Sequence, residues 1–295
     1  MRNLLVLAWC AYMSGCSPLV LNSEDWVAEG VFTQGIEGPA VDARGRLYAV
    51  NVIKQGTIGV VDEVGSADIF LSLPDNSVGN GIRFDRFNNM YIADYVNHIV
   101  WRVDMASKTL QIHARNTAMN QPNDLAIMDN GILFASDPNW AQEVGKLWRI
   151  AQDGTTHLLA DKMGTTNGIE VSPDNKTLYV NESVQRKVWR FDIDEQGHIT
   201  NKQLHISFSD YGLDGMRADQ AGNLYIARYG KGVVTVVSPQ GQVIREIKLI
   251  GSYPTNVAFG GSDGKTVYVT MQKRGAIEQF SAPIAGRTFT SNQDL

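Results

Sequence analysis

The sequence predicts an all-β protein, a six-bladed β-propeller closed by an N-terminal strand, and three observations carry that expectation. One phrase recurs six times: "EGPAVDARGRLYAVN" from Glu37, "NGIRFDRFNNMYIAD" from Asn80, "NDLAIMDNGILFASD" from Asn123, "NGIEVSPDNKTLYVNE" from Asn167, "DGMRADQAGNLYIAR" from Asp214 and "NVAFGGSDGKTVYVT" from Asn256. The heads of these phrases stand 43, 43, 44, 47 and 42 residues apart, a period in the range of one propeller blade. No long stretch places apolar residues at the spacing of a helix.

Each unit reads as strand, tight turn and strand. A polar head leads into a short apolar stretch, then Asp, Asn, Gly or Pro, then an alternating run such as "LYAV" or "MYIA", the pattern of paired strands around a turn. A third strand follows in "HIVWRVD", "KLWRI", "KVWRFD" and "GVVTVV", and a fourth in "LQIHAR", "THLLAD" and "VIREIKL". A single sheet of this size cannot bury both faces, whereas a ring of sheets can. The sixth unit runs out of strands after "AIEQFSAPI", so "WVAEGVFT" (26–33) is expected to supply its outer strand and close the ring. A β-sandwich, the alternative all-β architecture, does not call for six equal repeats.

Residues 26–295 are therefore expected to form one domain, preceded by a leader (1–15) and a short linker (16–25). The start "MRNLLVLAWCAYMSGCSPLV" has one Arg, a short apolar run and small residues before Cys16, the layout of an export signal too short to span a bilayer. "MSGC" resembles a bacterial lipobox, which implies lipidation of Cys16 and export to the periplasm or to a membrane-anchored state. The two cysteines are Cys10 and Cys16, so thiol catalysis and zinc-thiolate sites are not expected in the mature domain. A net charge of −5, with no basic cluster interleaved with aromatics, argues against nucleic acid as partner. A small molecule is the expected partner, with membrane contact only through the lipid.

The innermost strands of a propeller line its central channel, so the six heads, Glu37, Asn80, Asn123, Asn167, Asp214 and Asn256, are expected to face one another. Four of them precede Gly and also read as ordinary turn residues, but Glu37 is not a turn former. Two carboxylates with neutral amide oxygens suit a divalent cation of the calcium class better than zinc or copper. The five histidines, His98, His113, His157, His198 and His205, lie outside the heads and read as surface or packing residues. Asp124, beside Asn123, is a candidate assisting base and substrate contact, and Asn80 and Glu143 are further candidate substrate contacts. Trp140 is expected near the pocket mouth, whereas Asp94, Asp137 and Glu182 read as structural. The matches of "GGSDG" to a serine-hydrolase elbow and of "DIDEQG" to an EF-hand loop lack the helices those motifs need.

Taken in order, "EGPA", "PNDLAIMDNGILFASD", "TNGIEVSPDNKTLYVNES" and "YPTNVAFGG" resemble the senescence marker protein, gluconolactonase and luciferin-regenerating enzyme family of six-bladed propellers, over roughly residues 34–275. The resemblance implies a metal at one end of the channel, held by Glu37, Asn167 and Asp214, with Asn123 a fourth ligand or a substrate contact. It also implies that Asp214 donates or accepts the proton. Some sugar-lactonase members carry an Arg two residues before the third-repeat Asn, where this chain has Gln121. The expected activity is calcium-dependent hydrolysis of lactones or related esters. The alternatives are a non-catalytic binding propeller and a lyase or phosphotriesterase-like activity.

Overall fold

A computed structural model describes residues 22–289; the expected leader and Cys16 lie outside them. Among the described residues, 24 strands form six sheets of four strands each, antiparallel within each sheet and without a helix. The inner strands, one per blade, are Phe32–Val41, Gly79–Phe84, Leu125–Ile127, Thr166–Val171, Met216–Ala218 and Pro254–Gly260. Each is the first strand of its repeat, and blades 1 to 5 take their four strands consecutively from the chain.

Blade 6 is completed from the other terminus, where Glu24–Val27 pairs antiparallel with Ala276–Ser281, Val27 opposite Ile277. The closing strand is thus earlier and shorter than the expected 26–33. Gly30, at φ +81°, turns the chain, and Phe32 already belongs to blade 1. The linker expected over 16–25 likewise gives up Glu24 and Asp25 to this strand, and Asn22 bridges Lys248. Arg274 clasps the seam, bonding Asp25 at 2.6 and 2.9 Å and Glu278 at 2.9 Å.

Hydrophobic clusters fill all six junctions between neighbouring blades. One joins Tyr48, Val50 and Ile58 of blade 1 to Ile82, Ile92 and Trp101 of blade 2. The last joins Val27, Phe32 and Ala49 to Tyr268 and Ile277, so the closing strand is packed as well as paired. The alternating run of each second strand feeds one face to each junction, which is why those strands are apolar on both sides.

Glycine governs how closely the blades meet at the axis. A Cβ on Gly38 would overlap the Asn80 carbonyl, and one on Gly215 would overlap the Asn256 side chain. At Gly168 it would lie 2.5 Å from the Asp214 carbonyl oxygen, and at Gly81 2.6 Å from the Asp124 carboxylate. Of these four only Gly38 has a positive φ, +55°. The other three glycines after the heads are therefore required for close approach to the next blade, not for a left-handed turn.

Beneath the heads the channel is crossed by ion pairs. Asp124 receives Arg83 and Arg217, each at 3.1 Å, and all three side chains are buried. Burial pushes the Asp124 carboxyl up, but Arg217 and Arg83 outweigh it and hold the group below the usual carboxylate range. Further down, Arg287 of the C-terminal segment spans the channel end, reaching the carbonyls of Ile127 at 3.0 Å and Ser172 at 3.2 Å. Its backbone N–H donates to Ala218 at 2.9 Å.

Removing Asp124 leaves two buried guanidinium groups without their counter-charge. Asp124→Ala is expected to cost about 3–5 kcal/mol, a fall on the order of 10 °C in Tm for a domain of this size. Denaturant unfolding checks this, and a loss under about 1 kcal/mol would contradict the ion-pair account.

Candidate functional site

The heads lie at the wide end of the channel, where a cavity of about 460 Å³ opens above the Asp124 ion pairs. Glu37, Asn80, Asn123, Asn167 and Asp214 all line it. Asn256 does not, but its amide donates to Glu37 Oε2 at 3.1 Å. Ladder register shifts fall at the heads of blades 1, 2, 4 and 6. Such bulges re-aim a side chain away from its strand's alternation, and here they aim the heads at the axis.

Glu37 and Asp214 come together across the axis although they are 177 positions apart in the chain. Burial, and then the charge of Asp124, push the Glu37 carboxyl up to about 7, against the lowering effect of the Gly38 N–H and the Asn256 amide. Burial, and then the charge of Glu37, hold the Asp214 carboxyl well above the carboxylate range, although Asn167 bonds it. Two carboxylates in this position repel when both are ionised.

Around them stand amide oxygens with nothing to bind. The Oδ1 atoms of Asn123 and Asn167 are buried and have no hydrogen-bond partner. A buried acceptor left unsatisfied is costly, and a hard cation satisfies it while neutralising the acids. The donor set therefore fits a calcium-class ion held by Glu37, Asn167 and Asp214, with Asn123 as the adjacent oxygen. Among the described residues no three His, Cys, Asp or Glu side chains converge as a metal site; this set consists of two carboxylates and amides.

Two expected contacts are not at the cavity. Asp124 follows Asn123 in the segment just before the Leu125–Ile127 strand, and its side chain faces down the channel, where both its oxygens accept from arginines. Neither a base nor a substrate contact is available from it. Glu143 sits exposed in a left-handed turn at φ +54°, where its N–H donates to the Trp140 carbonyl at 3.4 Å and its carbonyl accepts from Gln185 at 3.2 Å. Trp140 and Gln121 do line the cavity. Asp94, Asp137 and Glu182 are spent within the protein, the first two on the indole N–H groups of Trp101 and Trp148 and the third on the Gly164 N–H. No histidine lines the cavity; His113 and His205 pack edge-on against Tyr91 and Tyr179.

A second ring was missed. Asn51, Tyr95, Ser183, Tyr229 and Gln272 line the wall above the heads, and each stands at or just past the end of the second strand of its blade. The signal was the end of the repeated phrase, which returns to the channel end that the head had left: Asn51 is the last letter of its phrase, Tyr95, Ser183 and Tyr229 stand one residue beyond theirs, and Gln272 two. Asn181 was also missed; its amide bonds the Asp214 carbonyl at 2.5 Å and fixes that backbone.

The likeness to known proteins agrees with this geometry. The 6-deoxy-6-sulfogluconolactonase of Pseudomonas putida is 34% identical over 156 residues, 51% of this chain and 54% of that protein. The chain thus spans about half the length of that relative. The putative sugar lactone lactonase YvrE of Bacillus subtilis is 25% identical over 86% of this chain and 90% of its own. A calcium-binding protein, regucalcin, from Agrobacterium tumefaciens shares the fold, with a TM-score of 0.78 at 21% identity over 92% of this chain and 97% of its own. Residues 36–273 match the family described as SMP-30/Gluconolactonase/LRE-like region, and the chain belongs to that family.

Proposed function

We propose that this protein hydrolyses lactones or related esters at the wide end of its channel, with a calcium-class cation held by Glu37, Asn167 and Asp214. The observation that carries the proposal is the meeting of two crowded carboxylates with two unpartnered amide oxygens on the floor of a cavity large enough for a small molecule. The relatives named as lactonases and the calcium-binding structural neighbour support the same reading.

A cation bound there would polarise the substrate carbonyl and favour attack by water. Asn123 and Asn80 orient the lactone against the floor, and Asn167 fixes the Asp214 carboxylate. Asp214 takes a proton as water adds to the carbonyl carbon and returns it to the ring oxygen as the C–O bond breaks. The product is an open hydroxy acid, and atoms and charge balance without another reactant. Glu37 lies opposite, held by Asn256 and the Gly38 N–H.

Asp214→Asn is expected to lower kcat by about 10²–10⁴ and to raise the Tm of the metal-free protein, because it removes half of a repelling pair. Loss of activity together with a lowered metal-free Tm would mean that the residue is structural. Chelation with EDTA is expected to abolish turnover of a γ- and δ-lactone panel, and calcium to restore it; full activity in EDTA would refute the metal assignment.

Both acids have folded pKa values above their ordinary ones, so between about 4.5 and 7 the metal-free folded state holds protons that the unfolded chain releases. Stability contributed by the protonated acids is then lost as pH rises through this window. Cation binding displaces the same protons and tightens with pH. Thermal melts with EDTA are therefore expected to fall from pH 5 to 7, while the Tm gain on adding calcium grows. A calcium increment independent of pH would show that the ion binds elsewhere.

A further inference from the structure

Among the described residues, none of the side chains lining the cavity is positively charged. Several of its polar groups are already committed to the protein. Asn51 donates to the Gly35 carbonyl and accepts from the Gly56 N–H; Thr255 donates to the Ile36 carbonyl, and Gln272 accepts from Tyr229. The broad surfaces of the wall are aromatic: Tyr95, Tyr229 and Trp140, the last 44% exposed.

The apolar character continues outward. Among the exposed large apolar side chains are Val96 beside Tyr95, Val184 beside Ser183, and Tyr253, whose ring meets that of Tyr229 edge-on at 5.1 Å. Ile53, two residues past Asn51, is 66% exposed at φ +63°. A β-branched residue seldom adopts that conformation, and strain of this kind gathers at functional sites. Three residue types commonly used at solvent-facing loop tips, Asn, Asp and Gly, would sit there more easily.

Resting on the lactonase reading above, we propose that the substrate is an uncharged lactone or ester bearing an apolar arm, which lies along Tyr95, Trp140 and Tyr229 toward the rim. The charged end of an anionic arm would lie against the aromatic wall, away from the cation on the floor, and would lose its hydration with no positive side chain there to replace it. A polyhydroxylated arm would find Gln121 and Ser183 as side-chain partners but would set its other hydroxyls against aromatic rings and amides already bonded, and unpaired polar groups weaken binding. An alkyl arm leaves water for the aromatic wall, which favours it methylene by methylene.

The test uses the full chain with calcium and compares γ-lactones carrying alkyl arms of increasing length, the same lactones ending in a carboxylate, and a polyhydroxylated δ-lactone. The expected result is a kcat/KM that rises roughly threefold per methylene over the first few, expressed mainly in KM. It should fall at least about tenfold when the arm ends in a carboxylate, which the wall leaves unpaired. Trp140→Ser should flatten the dependence on arm length more than it changes kcat, a split that loss of folding would not produce. Turnover with no dependence on arm length, or a preference for the polyhydroxylated or anionic lactone, would overturn the inference alone and leave the rim to a surface partner. Absence of turnover on every lactone by a folded, calcium-loaded protein would overturn the lactonase reading and this inference together.

Discussion

Close approach of the inner strands at the axis is the constraint from which the site follows. Gly38 and Gly215 make room for Asn80 and Asn256, and Gly168 lets the backbone of Asp214 come against blade 4. A Cβ at Gly38 or Gly168 would meet backbone of the next blade, and one at Gly215 the Asn256 side chain, so a side chain at any of them would force a neighbour to shift. With the blades this close, the six heads have no choice but to meet. Their polarity follows from the open end above them, and their crowding from the glycines beside them.

Crowding brings an electrostatic problem, which the fold answers in layers. Glu37 and Asp214 form an acidic layer at the cavity floor. Directly below, Arg83 and Arg217 are both held by Asp124, and the buried Glu170 stands in the same layer with Arg287 at 3.6 Å, so that layer is close to balanced in charge. Arg217 lowers the Glu37 carboxyl while Asp124 raises it, and the ion pairs below therefore moderate but do not cancel the repulsion above. The remaining acid–acid conflict is released either by protons or by a divalent cation, and the two compete for the same oxygens. The guanidinium groups of Arg83 and Arg217 fill the channel beneath the heads, and a cation held by the heads would meet them before any further acid.

Much of this was legible in the sequence because the information is local and periodic. Strand, turn and strand repeat in every unit from Glu37 to Asn256, and a ring of equal blades puts equivalent letters at equivalent heights. The closing strand was misplaced because "WVAEGVFT" straddles a turn at Gly30 and mixes residues of two blades. Asp124 was misread because neighbouring side chains point in different directions, and one step from Asn123 toward the Leu125–Ile127 strand exchanges the cavity for the channel interior. Glu143 lies in a loop whose path no pattern specifies. Arg83, Glu170 and Arg217, by contrast, each stand three residues after a head, and the same periodic reading that found the heads would have found this lower charged ring.

The architecture also assigns a direction to traffic. The ion pairs of Asp124 form a floor, and beyond them Arg287 spans the far end through carbonyls of blades 3 and 4. Substrate and product of the proposed reaction would therefore share the opening beside Trp140. Hydrolysis of a neutral lactone would leave a carboxylate at the floor, next to the cation that Glu37 and Asp214 would hold, and a carboxylate is itself a ligand for such a cation. The aromatic wall above offers the new charge no partner, so the product would leave by exchange of its carboxylate for water at the floor.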